Sequence, residues 1–226
     1  MSVARGFDIL RHAQTAPLNG RPSPARTNLR AEALAMARND ALVHAAYSYR
    51  VVPLDAPAAP ILQAGGESLE APWLLPASGQ LTALACGACT LGPRFERRVS
   101  ELFGQRRMSL AMALDELGNE LLFDISRRAQ DRIQAEVSRN SLTMSGELRA
   151  VDPVLALEAQ GAVLRLAGAD SIGIRLSEGF VMHPLKSTSM VLGVGVELPA
   201  SSWSRCDTCN SRERCGVRKR ALAAAA

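Results

Sequence analysis

The sequence predicts an α+β protein: a single domain with a mixed or antiparallel sheet and several amphipathic helices over residues 1–200, then a cysteine-rich basic tail over 201–226. Three observations lead there. The chain has 226 residues, enough to bury one sizeable core and too few for two large domains. Apolar positions recur at helical spacing in some stretches and alternate or run together in others. Aromatic residues are only 4% of the chain, against 47% apolar residues overall, so the core must be built from Leu, Val, Ile and Ala.

Residues 13–29 are rich in Pro, Asn and Gly and read as an irregular connection. A helix is predicted from about Arg30 to Ala45, followed by a strand in YSYRVVPL from Tyr47. Pro53, Pro57 and Pro60 then break regular structure, and Gly65-Gly66 marks a turn. The run QLTALACGACTL from Gln80 to Leu91 suits a short buried strand. Gly92-Pro93 ends it and opens a helix, because Pro fits the first helical turn. Phe95, Val99, Leu102 and Phe103 make one apolar stripe there, and Gly104 closes the helix. A longer helix from about Ser109 to Val137 keeps Leu110, Leu114, Leu117, Leu121, Ile125 and Ile133 at helical spacing. Asp152-Pro153 pairs an N-cap with Pro at the first helical position and opens a further helix to about Gly168. SIGIRL (Ser171 to Leu176) alternates as a strand does. MVLGVGVEL (Met190 to Leu198) sets Leu192, Val194 and Val196 on one face, with Gly193 and Gly195 opposite. Glycines along one strand face imply that something approaches the backbone closely.

Several function classes are excluded or located by composition. No stretch approaches the roughly 18 to 20 apolar residues of a spanning helix, and MSVARGFDILRHAQ lacks the apolar run and cleavage site of a signal peptide. The expectation is a cytoplasmic protein with no membrane partner. The net charge is +4, and from Ser201 onward six Arg or Lys face only Asp207 and Glu213, so the tail carries the whole excess.

The tail also carries the sharpest chemical signal. Cys206, Cys209 and Cys215 follow a C-x2-C-x5-C spacing among arginines. Two thiolates three residues apart can close on one soft metal ion, and a third a short loop later extends the shell. Structural zinc wants four ligands, whereas an iron–sulfur cluster tolerates a non-cysteine ligand, so iron–sulfur leads and zinc follows. Cys86 and Cys89 form a second C-x2-C on an apolar strand, where positions three apart face opposite sides, and plain packing is the favoured reading. The alternative is that one of them completes the tail's ligand set.

In the PLKSTS segment, Lys186, Ser187 and Ser189 offer a cation and hydroxyls to a phosphate or carboxylate, against the simpler reading of a solvated turn. His12, His44 and His183 are scattered without matched acids, and Asp115 reads as an exposed helix residue. No complete active site of the chain's own is visible, and whether it is an enzyme stays open.

Four segments, in order, resemble the activation domain of vitamin B12-dependent methionine synthase in its short stand-alone form. TLGPRFERRVSELF (Thr90 to Phe103) is similar to the family's Thr-hydrophobe-Gly-Pro turn and helix. ALDELGNEL from Ala113 resembles its next helix, and SIGIRLSEGFVMHPLKSTSMVLGVG (Ser171 to Gly195) its strand, Pro-x-Lys-Ser turn and glycine-bearing strand. The terminal Cys-x2-Cys and later Cys before basic residues resemble the ending of the short forms. The resemblance implies a module that helps return an oxidised cobalamin to its methyl form, with S-adenosylmethionine as methyl donor and an outside electron donor. Cobalamin would come on the partner, a corrinoid-binding protein or cobalamin-dependent methyltransferase. The family's adenosylmethionine segment has an Arg shortly before a Gly-Tyr pair. LTMSGELRA keeps Gly146 but has Glu147 for the Tyr, and Arg139 and Arg149 lie out of register. That departure counts against adenosylmethionine binding and leaves the role by partner contact.

The expectation is thus an accessory module for corrinoid reactivation, with Gly146, Lys186 and Ser187 as cofactor-binding candidates. The rival is a nucleic-acid-binding protein with a zinc-knuckle-like basic tail. Against it, Trp203 is the tail's only aromatic residue and the remaining 200 residues are neutral overall.

Overall fold

The structure, a computed structural model, describes residues 1–15, 23–149 and 155–199. The Asp152-Pro153 cap and Cys206, Cys209 and Cys215 lie outside the described residues. In chain order the elements are β1 (Ser2–Arg5), α1 (Leu10–Thr15), α2 (Pro24–Asn39), β2 (Ala46–Pro53), β3 (Ile61–Ala64), β4 (Glu67–Glu70), β5 (Gln80–Thr90) and α3 (Pro93–Gly104). Then come α4 (Met108–Arg139), β6 (Thr143–Leu148), α5 (Ala159–Ala167), β7 (Arg175–Leu176), β8 (Met182–His183) and β9 (Ser187–Val196). The predicted α+β class holds. A five-stranded sheet in the order β1-β2-β5-β9-β6 has every neighbouring pair antiparallel.

Three layers result. On one sheet face pack α1 to α4, with Ala85 and Cys89 of β5, Tyr47 and Tyr49 of β2 and Leu192 of β9 meeting Leu114, Leu121 and Ile125 of α4. On the other lie the β3–β4 hairpin, α5 and the β7–β8 hairpin, where Leu84 and Cys86 of β5 and Val191 of β9 meet Leu62, Leu69 and Val163. β5 and β9 are therefore buried on both faces, which is why their sequences run apolar or small without a polar alternation.

Local chemistry sets the element ends. Ser23 caps α2 by accepting the Arg26 N–H at 3.3 Å, with Pro24 at the first helical position. Gly65 and Gly66, at φ 56° and 78°, make the two-residue turn between β3 and β4, the left-handed pair that a tight hairpin favours. The Arg30 guanidinium meets the Glu120 carboxylate through two bonds of 3.0 and 2.7 Å and also donates to the Ala13 carbonyl, tying α1 and α2 to α4. No helix among the described residues is long and apolar enough to cross a membrane.

Several sequence expectations need correction. The first long helix begins at Pro24 and ends at Asn39, and residues 10–15 are also helical. Cap chemistry at Ser23-Pro24 outweighs the loop-like composition around it. Phe103 is 41% exposed, so the α3 stripe stops at Leu102. SIGIRL is not a strand: Ala169–Ile172 form a 3₁₀ turn, Gly173 sits at φ 79°, and only Arg175 and Leu176 pair. PLKSTS is not a turn throughout, because β9 already starts at Ser187. The close approach at Gly193 is made by the sheet itself: a Cβ there would lie 2.6 Å from Ser145 Oγ and 2.7 Å from Leu81 Cδ1.

Gly118 of α4 lies under the Phe95 ring of α3, where an added Cβ would sit 2.6 Å from Cε1. Overpacking of this kind costs about 1–3 kcal/mol, more than the roughly 1 kcal/mol helix preference of Ala over Gly. Gly118→Ala should therefore lower the urea midpoint; a raised midpoint would mean that the ring steps aside freely.

Cys86 and Cys89 are fully buried in opposite layers, and burial pushes both thiols up to about 12. A raised thiol contributes stability that is complete below its unfolded value, about 8.5, and is lost as pH rises towards the folded one. Urea stability should fall between about pH 8.5 and 10 by up to roughly 1.4 kcal/mol per pH unit per thiol. Cys86→Ala should halve that slope, and an unchanged slope would remove the thiols as its cause.

Candidate functional site

The helix-facing side of the sheet carries one polar seam, where β9 begins, β6 ends and α4 crosses them. Asp115, Asn119 and Ser126 lie at i, i+4 and i+11 along α4, close to one stripe at 3.6 residues per turn. Lys186, just ahead of β9, reaches that stripe: its Nζ is 2.7 Å from Asp115 Oδ1 and 2.7 Å from Asn119 Oδ1. Asp115 is therefore an ion-pair partner, although its side chain keeps 43% exposure.

Arg149 follows β6 and turns its guanidinium into the same seam. Nε donates to Glu147 Oε1 at 2.5 Å, Nη1 to Thr188 Oγ1 at 2.6 Å and Nη2 to Ser126 Oγ at 2.8 Å. The guanidinium carbon also stands 5.9 Å from the Phe123 ring centroid. Side-chain exposure of 9% for Arg149 and 15% for Glu147 makes this a buried ion pair, worth retaining only because every neighbouring acceptor is aligned. Glu147, which departs from the family's Tyr, is thus the counter-ion of Arg149.

Ser187 belongs to a second network at the sheet's end. Its hydroxyl donates to Thr90 Oγ1 at 2.9 Å, and the Gly92 N–H donates to the same oxygen at 3.0 Å. Thr90 Oγ1 donates onward to the Lys186 carbonyl, and the Leu185 N–H donates to the Glu96 carboxylate of α3. The Thr-Leu-Gly-Pro turn and the Pro-Leu-Lys-Ser segment are clamped together in this way.

The structure brings Lys186 to one end of the seam, turns Ser187 into the neighbouring Thr90 network, and leaves Gly146 away from both. Gly146 lies at the irregular step of β6, between Met144, paired with Val194, and Glu147, paired with Leu192. Six residues of β9 separate that point from Ser187, about 20 Å at roughly 3.3 Å per residue. Ser189 is buried within β9. Among the described residues no three His, Cys, Asp or Glu side chains converge as a metal-holding group, and the tail thiols lie outside them.

Sequence reasoning missed Asn119, Ser126, Thr188 and Thr90 as members of this network. The spacing of Asp115, Asn119 and Ser126 along the polar flank of the α4 leucine stripe was the available signal.

Replacing Arg149 with Met strands the Glu147 carboxylate. Removing one partner of a buried pair costs about 3–5 kcal/mol, and Arg149→Met should lower stability by that order in urea denaturation. Adding Glu147→Gln should recover a good part of it. A double variant as unstable as the single one would mean that Glu147 is not held by Arg149.

No protein-family model matches the sequence, and no curated protein matches it either. The fold does have a solved counterpart. The crystal structure of the MetH reactivation domain bound to AdoHcy superposes with a TM-score of 0.61, covering 88% of this chain and 80% of that one at 10% identity. The chain therefore has the fold of that domain.

Proposed function

We propose that this protein is an accessory module for the reductive reactivation of a corrinoid-dependent methyltransferase such as methionine synthase. One observation carries the reading. The segments that resemble the activation-domain family, scattered from Thr90 to Ser187 in sequence, meet around the start of β9 in two adjoining hydrogen-bond networks, within a fold shared with the MetH reactivation domain. Thr90 comes from the Thr-Leu-Gly-Pro turn, Asp115 and Asn119 from the ALDELG helix, Lys186 and Ser187 from the Pro-Leu-Lys-Ser segment, and Arg149 from the strand bearing Gly146.

The methyl donor in this reading is S-adenosylmethionine, and the solved counterpart's AdoHcy is the product that such a transfer leaves. The partner's corrinoid would supply the reducible metal that takes up the sulfonium methyl group with an electron from an outside donor, while this chain would bind and orient the methyl donor. Lys186 and Ser187 are the candidate contacts at one end, where Lys186 would offer its ammonium to a carboxylate, and Gly146 is a separate candidate on β6. Cys206, Cys209 and Cys215 would hold an iron–sulfur or zinc centre that relays the electron or shapes the docking surface.

The test uses the full chain with a cobalamin-dependent methionine synthase lacking its own activation domain, held as cob(II)alamin with a reductant and S-adenosylmethionine. The protein should accelerate formation of methylcobalamin, followed by its visible spectrum. Lys186→Met should slow that step, and the triple Cys→Ser variant should lose its iron or zinc. A rate that stays the same with and without the protein would overturn the reading.

A further inference from the structure

Next to the clamp formed by Thr90 and Ser187 lies an open cleft of about 790 Å³ that the corrinoid reading does not use. Its size falls within the roughly 300–1,000 Å³ of small-molecule sites. Four basic side chains from four places in the fold line it: Arg5 at the end of β1, His44 ahead of β2, Arg175 on β7 and His183 on β8. Arg5 is anchored by one guanidinium bond to the Ser171 carbonyl, which leaves its other N–H groups for a ligand. The side chains of Arg175, His44 and His183 make no hydrogen bond or ion pair with another described residue. Glu96, the single acid among the described residues of the wall, already accepts the Leu185 N–H.

The backbone opens onto the same space. Gly6 and Gly173, at φ 68° and 79°, both line the cleft, and a Cβ at either would meet nothing within 4 Å. Gly92 and Pro93 line it where α3 begins, and that helix start has no side-chain cap, so its positive end adds to the field of the two arginines. Val43, Ala45, Ile172 and Pro184 supply apolar wall between the charges.

Two guanidiniums suit phosphoryl oxygens better than they suit one carboxylate, and the imidazoles add further donors. The apolar wall fits an organic body rather than a bare ion. We infer that this cleft is a binding site for a phosphorylated small molecule of mononucleotide size. The inference goes beyond the reactivation reading and does not depend on it.

The probes are adenosine 5′-monophosphate, adenosine and inorganic phosphate, titrated into the ¹⁵N-labelled full chain while the amide signals of Gly6, Gly92 and Gly173 are followed. The monophosphate should shift all three in a saturable way, with adenosine at least about tenfold weaker, as loss of charge-assisted bonds requires. Inorganic phosphate should move the same amides at higher concentration. Arg175→Gln, an exposed change that leaves the other amide signals in place, should weaken the monophosphate by about tenfold. Arg132→Gln, on the exposed side of α4, should leave it unchanged. Equal affinity for adenosine and its monophosphate would overturn the inference, as would equal weakening by the two Arg variants. Glycine signals that fail to move at millimolar monophosphate would overturn it as well.

Discussion

Two central strands covered on both faces constrain nearly everything else in this fold. From Ala83 to Thr90 every residue of β5 is buried, and β9 is buried from Ser187 to Gly195. A strand enclosed this way must use small or apolar side chains, so both layers can come close without voids. The crowding is measurable at Gly87, where a Cβ would stand 3.2 Å from Met190 Cγ. Enclosure also dictates what happens where polar residues enter. Ser187, Thr188 and Ser189 are buried, and a buried hydroxyl needs a partner. Thr90 and Arg149 supply two of those partners, so both networks are first a consequence of burial and only then a place for chemistry.

The long helix α4 answers the same constraint from the other side. Leu114, Leu117, Leu121, Ile125 and Ile133 are all fully buried, giving the helix face of the sheet one continuous partner. Along its flanks the helix meets basic groups from three other elements: Arg30 from α2, Lys186 from the segment ahead of β9 and Arg149 from the end of β6. Buried pairs such as Arg30 with Glu120 add little net stability compared with apolar packing. What they fix is geometry, because a shifted helix would leave charges stranded. Tyr49 adds a further tie by donating to Glu136 at 2.7 Å.

What the sequence disclosed follows from these facts. Gln80 to Leu91 read as a buried strand because enclosure on both faces removes alternation, and the α4 leucines read as a helix because their spacing is helical. The opposite placement of Cys86 and Cys89 was legible from strand geometry alone. The errors have physical sources too. SIGIRL alternates because Ile174 and its neighbours face the α5 layer, yet Gly173 in the left-handed region breaks the strand. Ser187 to Ser189 looked like a turn because Ser and Thr favour turns, and only tertiary partners reveal them as strand. The two networks could not be assembled beforehand, since they join residues up to 97 positions apart, and the cleft depends on where four separated segments converge.

The donor inventory of the seam decides how it could receive a ligand. Arg149 spends a nitrogen on each of Glu147, Thr188 and Ser126 and its side chain is only 9% exposed, so an incoming carboxylate would have to enter a buried network and compete with Glu147 for the guanidinium. Lys186 has three N–H donors and uses them on Asp115 and Asn119, which leaves one. Its side chain is 13% exposed, and Asp115 beside it is 43% exposed, so that end of the seam is the one that solvent can reach. A carboxylate arriving there takes a charge-assisted bond from Lys186 while sharing that charge with Asp115, and it opens no buried pair. Entry at Arg149 requires opening the layer that buries its pair with Glu147. The physics therefore ranks Lys186 above Arg149 as the first contact for a ligand carboxylate and gives Arg149 the part of a positioning group, holding β6, β9 and α4 in register behind it.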